Sequence, residues 1–108
     1  MVNLMHDLYS MMEEEIDGAE TYAAKALSYK ASMPDLAKMF YQMSGDEMKH
    51  ASMIEAEIKK TVAVEKAKDT QLNLPHDRTM ESIYTFMHDQ FAARVVKVRV
   101  MQEKFKEA

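Results

Sequence analysis

The chain contains no cysteine and no tryptophan, and only two glycines and two prolines among its 108 residues. The absence of cysteine excludes disulfide bonds and thiolate metal sites, so a metal centre here would use nitrogen and oxygen ligands. The scarcity of glycine and proline favours long helices, because these residues are the poorest in a helix interior. No apolar run approaches the length of a membrane span.

The composition predicts one folded domain over residues 1–108. Hydrophobic residues make up 47% of the chain, well above a disordered composition. The formal charge of −4 gives no reason to expect nucleic acid as a partner. The N-terminus lacks the basic region and apolar run of a signal peptide, so we expect a soluble cytoplasmic protein without a membrane partner.

Apolar residues recur at spacings of three and four, which predicts an all-α fold. We expect three helices, over about 2–31, 34–68 and 78–106. Ser32 should cap the second helix, with Pro34 in its first turn, and so short a turn predicts an antiparallel hairpin. The segment 96–100 alternates like a strand, but the helical pattern continues on both sides and the chain offers no partner strand.

Residues 70–77 form the one convincing linker, and Asp77 is a candidate cap for the third helix. His6 and His76 lie near the ends of elements, where exposure to solvent accounts for them.

Each hairpin helix carries one row of apolar side chains that we call its seam. The first seam comprises Leu4, Leu8, Met11, Gly18, Tyr22, Ala26 and Tyr29, and the same face is widened by Ile16, Ala19, Ala23 and Leu27. The second comprises Leu36, Phe40, Met43, Ile54 and Ile58. The spacing places Glu15 in the gap of the first seam, and Glu47 and His50 in the gap of the second. Ionisable side chains therefore occupy positions that should pack against another helix. By contrast, Glu13, Glu14, Asp17 and Glu20 lie mostly off the first seam and are expected to form a solvated acidic face.

The three ionisable side chains should also meet at one level. Glu15 lies 16 residues before Ala31 in the turn, and Glu47 lies 16 residues after it. At the α-helical rise, both then sit about 24 Å from the turn. Gly45, next to this level, is expected to mark a close approach of the helices. An unpaired charge in a packed seam is costly, so the cluster needs either a metal ion or mutual pairing that only sets helix register.

Carboxylates with an imidazole suit iron or manganese. A carboxylate-bridged di-metal site in a four-helix bundle uses a Glu from each of two helices and a Glu-x-x-His from each of the other two. This chain contains half of that set, with no second Glu-x-x-His in the third helix. A homodimer, or a higher homo-oligomer, would complete the set and form a four-helix bundle.

Residues 11–60 resemble the ferritin-like superfamily, and in particular its rubrerythrin-type helical hairpin. The resemblance rests on Glu15 followed by Tyr22, on Phe40, and on the segment Asp46-Glu47-Met48-Lys49-His50-Ala51. The hairpin is also similar to the two-helix subunits of encapsulated ferritins, which build their ferroxidase centre across a dimer interface. The resemblance implies iron at Glu15, Glu47 and His50, with the carboxylates bridging two irons. It further implies that the protein oxidises Fe(II) with dioxygen or peroxide.

The chain departs from that family in several places. It has no rubredoxin-like cysteine cluster, has one helix after the hairpin where a full ferritin has two, and ends without an encapsulation-like tail. Two other functions therefore stay open, a metal-free helical interaction protein and a metal scavenger without redox turnover.

Two further residues are candidates near the site. Tyr22 is expected to be either a core aromatic or a hydrogen-bond donor to a ligand carboxylate. The third-helix seam comprises Tyr84, His88, Phe91, Val95, Val98, Gln102 and Phe105. If that helix runs antiparallel to the second, His88 lies opposite the early sixties, about 20 Å from His50. A long crossing of the linker would instead bring His88 to the level of Glu47 as a ligand, and we favour the first arrangement, with His88 beside Tyr84. The basic end of this helix, with Arg94, Lys97, Arg99, Lys104 and Lys106, is expected to be an exposed cationic face.

Overall fold

The protein folds into three long helices in a computed structural model that describes residues 2–72 and 79–107. The helices are α1 (Val2–Tyr29), α2 (Pro34–Gln71) and α3 (Thr79–Lys106). The predicted all-α class is confirmed. The described residues contain no strand, and the alternating segment 96–100 lies within α3. The predicted cap Asp77, the predicted position of His76 and most of the linker lie outside the described residues.

The turn between α1 and α2 differs from the prediction in its cap. The N-cap of α2 is Met33, which makes no side-chain capping hydrogen bond, and Ser32 lies one residue too early. The reason is Pro34, which occupies the start of the helix and keeps the residue before it out of the helical region. The two helices nevertheless form the expected antiparallel hairpin, and Tyr22 of α1 stacks on Phe40 of α2 with ring centroids 6.1 Å apart.

Helix α3 lies along one side of the hairpin, antiparallel to α2 and parallel to α1. Tyr41 stacks on Phe105 at one end, with centroids 4.6 Å apart, and Lys66 pairs with Glu81 over 3.3 Å towards the other. Tyr9 of α1 stacks on Phe91 over 6.2 Å. The resulting rod measures 62 × 17 × 17 Å. None of its helices, over the described part of the chain, has the run of apolar residues that a membrane crossing requires.

The buried line of each hairpin helix matches the predicted face in part, since Ala26 and Ile58 belong to the seams and Ile16, Ala19 and Ala23 belong to the widened first face. In α1 the buried side chains are Met5, Tyr9, Met12, Ile16, Ala19, Ala23 and Ala26. In α2 they are Ala37, Ser44, Ala51 and Ile58. Helix α3 contributes Phe91 and Val98. The other seam residues lie beside these lines, because α3 packs on one side of the hairpin and turns the most buried positions toward itself. The opposite side of the hairpin, which carries the seams, stays partly open.

Ser44 ties the three helices together inside this core. Its fully buried hydroxyl donates a hydrogen bond to the carbonyl oxygen of Ala19 over 2.7 Å. It accepts another from Nε2 of Gln102 over 3.0 Å. A buried hydroxyl needs such partners, so this pair of bonds fixes the heights of α1 and α3 against α2.

The charged faces of α1 and α3 pair with each other rather than only with solvent. Arg94 contacts Asp17 and lies 3.8 Å from Glu20, and Lys97 lies 2.8 Å from Glu20. The expected solvated acidic face is therefore corrected for Asp17 and Glu20, since α3 brings cations to them. These pairs are partly exposed, so each contributes little on its own.

Candidate metal centre

Three side chains converge on the open side of the hairpin. Nδ1 of His50 lies 3.3 Å from Oε2 of Glu15 and 3.9 Å from Oε1 of Glu47. One nitrogen or oxygen atom from each residue lies within 4.8 Å of the others, close enough to hold a single metal ion. The sequence-based prediction named the same three residues, and the structure brings them together.

Their meeting follows from helix geometry. Glu47 and His50 are three residues apart on α2, so they project from one face. Glu15 reaches them from α1 because the turn is short and the two residues are equally far from it. The bond from Ser44 to Ala19 lies one turn from the cluster on both helices and fixes this register.

Gly18 is the glycine that makes room for the site. A Cβ atom built on Gly18 would lie 3.0 Å from Oε2 of Glu47, closer than such contacts normally occur. At Gly45 the same atom would have nothing within 4 Å. The prediction that Gly45 marks a close helix approach is therefore wrong. Gly45 faces open space, whereas Gly18 lets the Glu47 carboxylate lie against the α1 backbone.

The cluster is less buried than a packed seam would make it. The side chains of Glu15 and Glu47 are each 27% exposed, and that of His50 is 53% exposed. The expectation that these side chains occupy packed positions is thus corrected for the single chain, because α3 covers the other side of the hairpin. Leu4 and Met11, which share the seam of Glu15, are 41% and 50% exposed. The site therefore lies within an apolar face that is open to solvent.

The pKa of Glu47 is raised above its ordinary value. The largest cause is the side-chain hydrogen bond with Glu15, which needs a proton between the two carboxyl groups. Burial and the negative charge of Glu15 raise this pKa further, while His50 lowers it. Two carboxylates held this close repel each other when both are ionised. A bound cation would remove that repulsion, so the electrostatics of the cluster suit a metal ion.

Tyr22 and His88, the two further candidates, lie in different parts of the molecule. The Tyr22 ring stacks on Phe40, and among the described residues the structure shows no hydrogen bond from its hydroxyl to either carboxylate. His88 lies on the other side of the hairpin, 3.7 Å from Glu55, with its ring 5.7 Å from that of Tyr84.

The sequence predicted that His88 lies opposite the early sixties of α2. The structure corrects this, because the His88 side chain lies next to Glu55. The pairs Tyr41–Phe105, Ser44–Gln102 and Lys66–Glu81 are all centred near residue 73, which sets position 88 opposite residue 58, and the His88 side chain contacts Glu55 from there. Glu55 is five residues beyond His50, about 7.5 Å along the axis. His88 still lies outside the three-residue cluster.

A long antiparallel helical hairpin with a glutamate on one helix and Glu-x-x-His on the next defines a protein of the ferritin-like class. Comparison with known families matches residues 8–107 to Rubrerythrin, and the chain belongs to this family. The match extends through α3, so the third helix is part of the family domain. No curated protein and no solved structure matched the chain.

Sequence reasoning missed Gly18 as part of the site, although the signal was present. Gly18 lies three residues after Glu15 on the same seam, at the level of Glu47. The sequence does not show from which side the Glu47 carboxylate approaches α1, because that depends on how the two helices are rotated against each other.

The raised pKa of Glu47 predicts a pH-dependent effect of Glu47→Gln in metal-free protein. Well below the ordinary glutamate pKa both proteins carry a neutral side chain, so their free energies of unfolding should be similar at about pH 3. As the pH rises through the folded-state pKa, ionisation beside Glu15 costs the wild type stability, and the variant should become the more stable protein. Urea unfolding with chelator at about pH 3 and pH 7 measures this. A variant that loses stability relative to the wild type between those pH values would contradict the assignment.

Proposed function

We propose that this protein binds iron in a carboxylate-bridged di-iron site shared by two copies of the chain, and oxidises Fe(II) with dioxygen or peroxide. The observation that carries the proposal is the convergence of Glu15, Glu47 and His50 within 4.8 Å on an open face. Membership of the Rubrerythrin family supports metal binding as the general function.

The donor set suits the proposed metal. Two carboxylates and one imidazole favour iron or manganese over softer metals, and no thiolate competes because the chain has no cysteine. In this proposal Glu15 and Glu47 are ligands, at least one of them bridging, and His50 is a terminal ligand. Di-manganese is the alternative metal centre. Bound iron would supply one-electron redox chemistry, while the protein holds the two carboxyl groups side by side.

We propose a second copy of the chain because one chain supplies half of the ligands of a di-metal site. Two chains related by a two-fold axis would bring four carboxylates and two imidazoles to one centre. The open face supports this arrangement, since Leu4 and Met11 flank the site and are partly exposed in the single chain. Burying these side chains against a partner would stabilise a dimer and would also shield the cluster from water.

Metal content tests the centre directly. Protein purified without chelator and reconstituted anaerobically with Fe(II) should bind about one iron per chain, the ratio of a two-iron site shared by two copies. Glu15→Gln should lose this iron, because it removes a charged ligand, whereas Glu13→Gln on the exposed side of the same helix should keep it. Elemental analysis measures the ratio.

Oxygen uptake on addition of Fe(II) then tests the redox step in the same proteins. Uptake by the wild type and by Glu13→Gln, but not by Glu15→Gln, is the expected pattern. Equal iron in all three proteins would rule out the proposed ligands. Iron binding without oxygen uptake would leave a metal-binding protein and remove the oxidase function.

Gly18→Ala should weaken iron binding without weakening the fold. The added methyl would push the Glu47 carboxylate by a few tenths of an ångström, so we expect the dissociation constant for Fe(II) to rise about tenfold. Gly45→Ala is the matched control, because its methyl enters open space and should stabilise α2 by about 0.5–1 kcal/mol. Anaerobic calorimetric titration and urea unfolding compare the two. Unchanged affinity in Gly18→Ala would show that this close approach does not position Glu47.

Dimerisation should depend on the open face. Met11→Glu places a charge beside the site on the side proposed to contact the partner, so the iron-loaded variant should be monomeric. Val96→Glu changes an equally accessible apolar residue of α3, 61% exposed, on the other side of the hairpin, and should remain dimeric. Sedimentation equilibrium of the iron-loaded proteins decides between these outcomes. A monomeric wild type with its full iron content would contradict a shared centre.

A further inference from the structure

A pocket of about 260 Å³ lies between α3 and the hairpin, on the side away from the Glu15–Glu47–His50 cluster. Its floor is formed by buried side chains, including Tyr9, Ile58 and Phe91. Its rim is more exposed and carries His88, Ala92 and Arg99. The pocket is slightly smaller than typical pockets for drug-sized ligands, and it is much larger than the share of one water molecule, about 30 Å³. Its size therefore suits a small organic molecule.

The floor of the pocket contains an unpaired hydroxyl. Tyr9 is 6% exposed, and among the described residues its hydroxyl has no hydrogen-bond partner. Buried hydroxyls are nearly always paired, so a missing partner indicates a place for a ligand atom or water. Burial, followed by the neighbouring Tyr84 and Glu55, raises the pKa of Tyr9 to about 12. The hydroxyl therefore keeps its proton at neutral pH and can donate to an acceptor oxygen.

The rim supplies a cation without a counterion. Glu55 is paired with Lys59 over 3.8 Å and with His88 over 3.7 Å. Arg99, in contrast, has no ion pair or hydrogen bond within the part of the chain that the structure describes. Arg99 lines the pocket together with Ala92 and Val95 of the same helix. A guanidinium in this position is well suited to bind a carboxylate.

We propose that this pocket binds a small aromatic carboxylate that carries a second, uncharged acceptor oxygen. The aromatic body would lie on Ile58 and Phe91, the acceptor would receive the Tyr9 hydrogen bond, and the carboxylate would pair with Arg99. The apolar floor, the Tyr9 hydroxyl and the Arg99 guanidinium all line one cavity. Within the described part of the chain, neither the hydroxyl nor the guanidinium has a polar partner. This site shares no residue with the proposed metal ligands, so it does not rest on the proposed function.

Three matched probes of similar size test the proposal. 4-Acetylbenzoate has the ring, the carbonyl acceptor and the carboxylate; 4-isopropylbenzoate lacks the acceptor; and acetophenone lacks the carboxylate. We expect 4-acetylbenzoate to bind the wild-type chain with a dissociation constant of roughly 0.1–1 mM, as suits a ligand of this size, and each of the others to bind about tenfold more weakly. NMR titration of the full chain in chelator measures all three.

Two variants assign the contacts. Tyr9→Phe should weaken 4-acetylbenzoate about tenfold and leave 4-isopropylbenzoate unchanged, because only the first probe uses the hydroxyl. Arg99→Gln should weaken both carboxylates and leave acetophenone unchanged. Tyr9→Phe keeps the ring and removes an unpaired hydroxyl, so its thermal stability should not fall, which separates lost binding from lost folding. Failure of 4-acetylbenzoate to bind at several millimolar, or equal binding by the wild type and both variants, would overturn the proposal.

Discussion

The contact between the Glu15 and Glu47 carboxylates is the constraint on which the candidate centre depends. Two carboxyl groups this close share a proton more readily than they both ionise, and the raised pKa of Glu47 reflects this. The helix register holds them there, since the buried bond from Ser44 to Ala19 lies one turn away. Gly18 lets the Glu47 carboxylate approach α1 a few tenths of an ångström closer than a residue with a Cβ atom would. A metal ion would turn this repulsion into shared coordination.

Helix α3 divides the hairpin into two sides with different properties. On its own side it completes a core, pairs Arg94 and Lys97 with acidic residues of α1, and forms one wall of the pocket at Tyr9. On the other side it leaves the cluster and its apolar surroundings partly open. One helix thus creates a pocket on one side and leaves a partly open apolar face on the other. The proposed dimer and the proposed ligand pocket both follow from that asymmetry.

The hairpin and the cluster could be predicted from the sequence because both depend on local regularities. Helical spacing, a short turn and equal distances from that turn determine that Glu15 meets Glu47 and His50. The turn itself was predicted less well, since Pro34 shifted the cap from Ser32 to Met33. The buried face of α1 was predicted correctly for Ile16, Ala19, Ala23 and Ala26 but not for Met5, Tyr9 and Met12. A pattern of apolar positions does not say which side a third helix will cover.

The sequence by itself determined the helices, the order of the ligand candidates along them and the level at which they meet. These follow from the rise and period of the α-helix, which are the same in any fold. Only the tertiary structure decided how the helices are rotated against one another. That rotation made Gly18 rather than Gly45 the close contact, placed His88 beside Glu55 and left the Tyr9 hydroxyl unpaired. Such features depend on side chains far apart in the chain, whose packing no local pattern specifies.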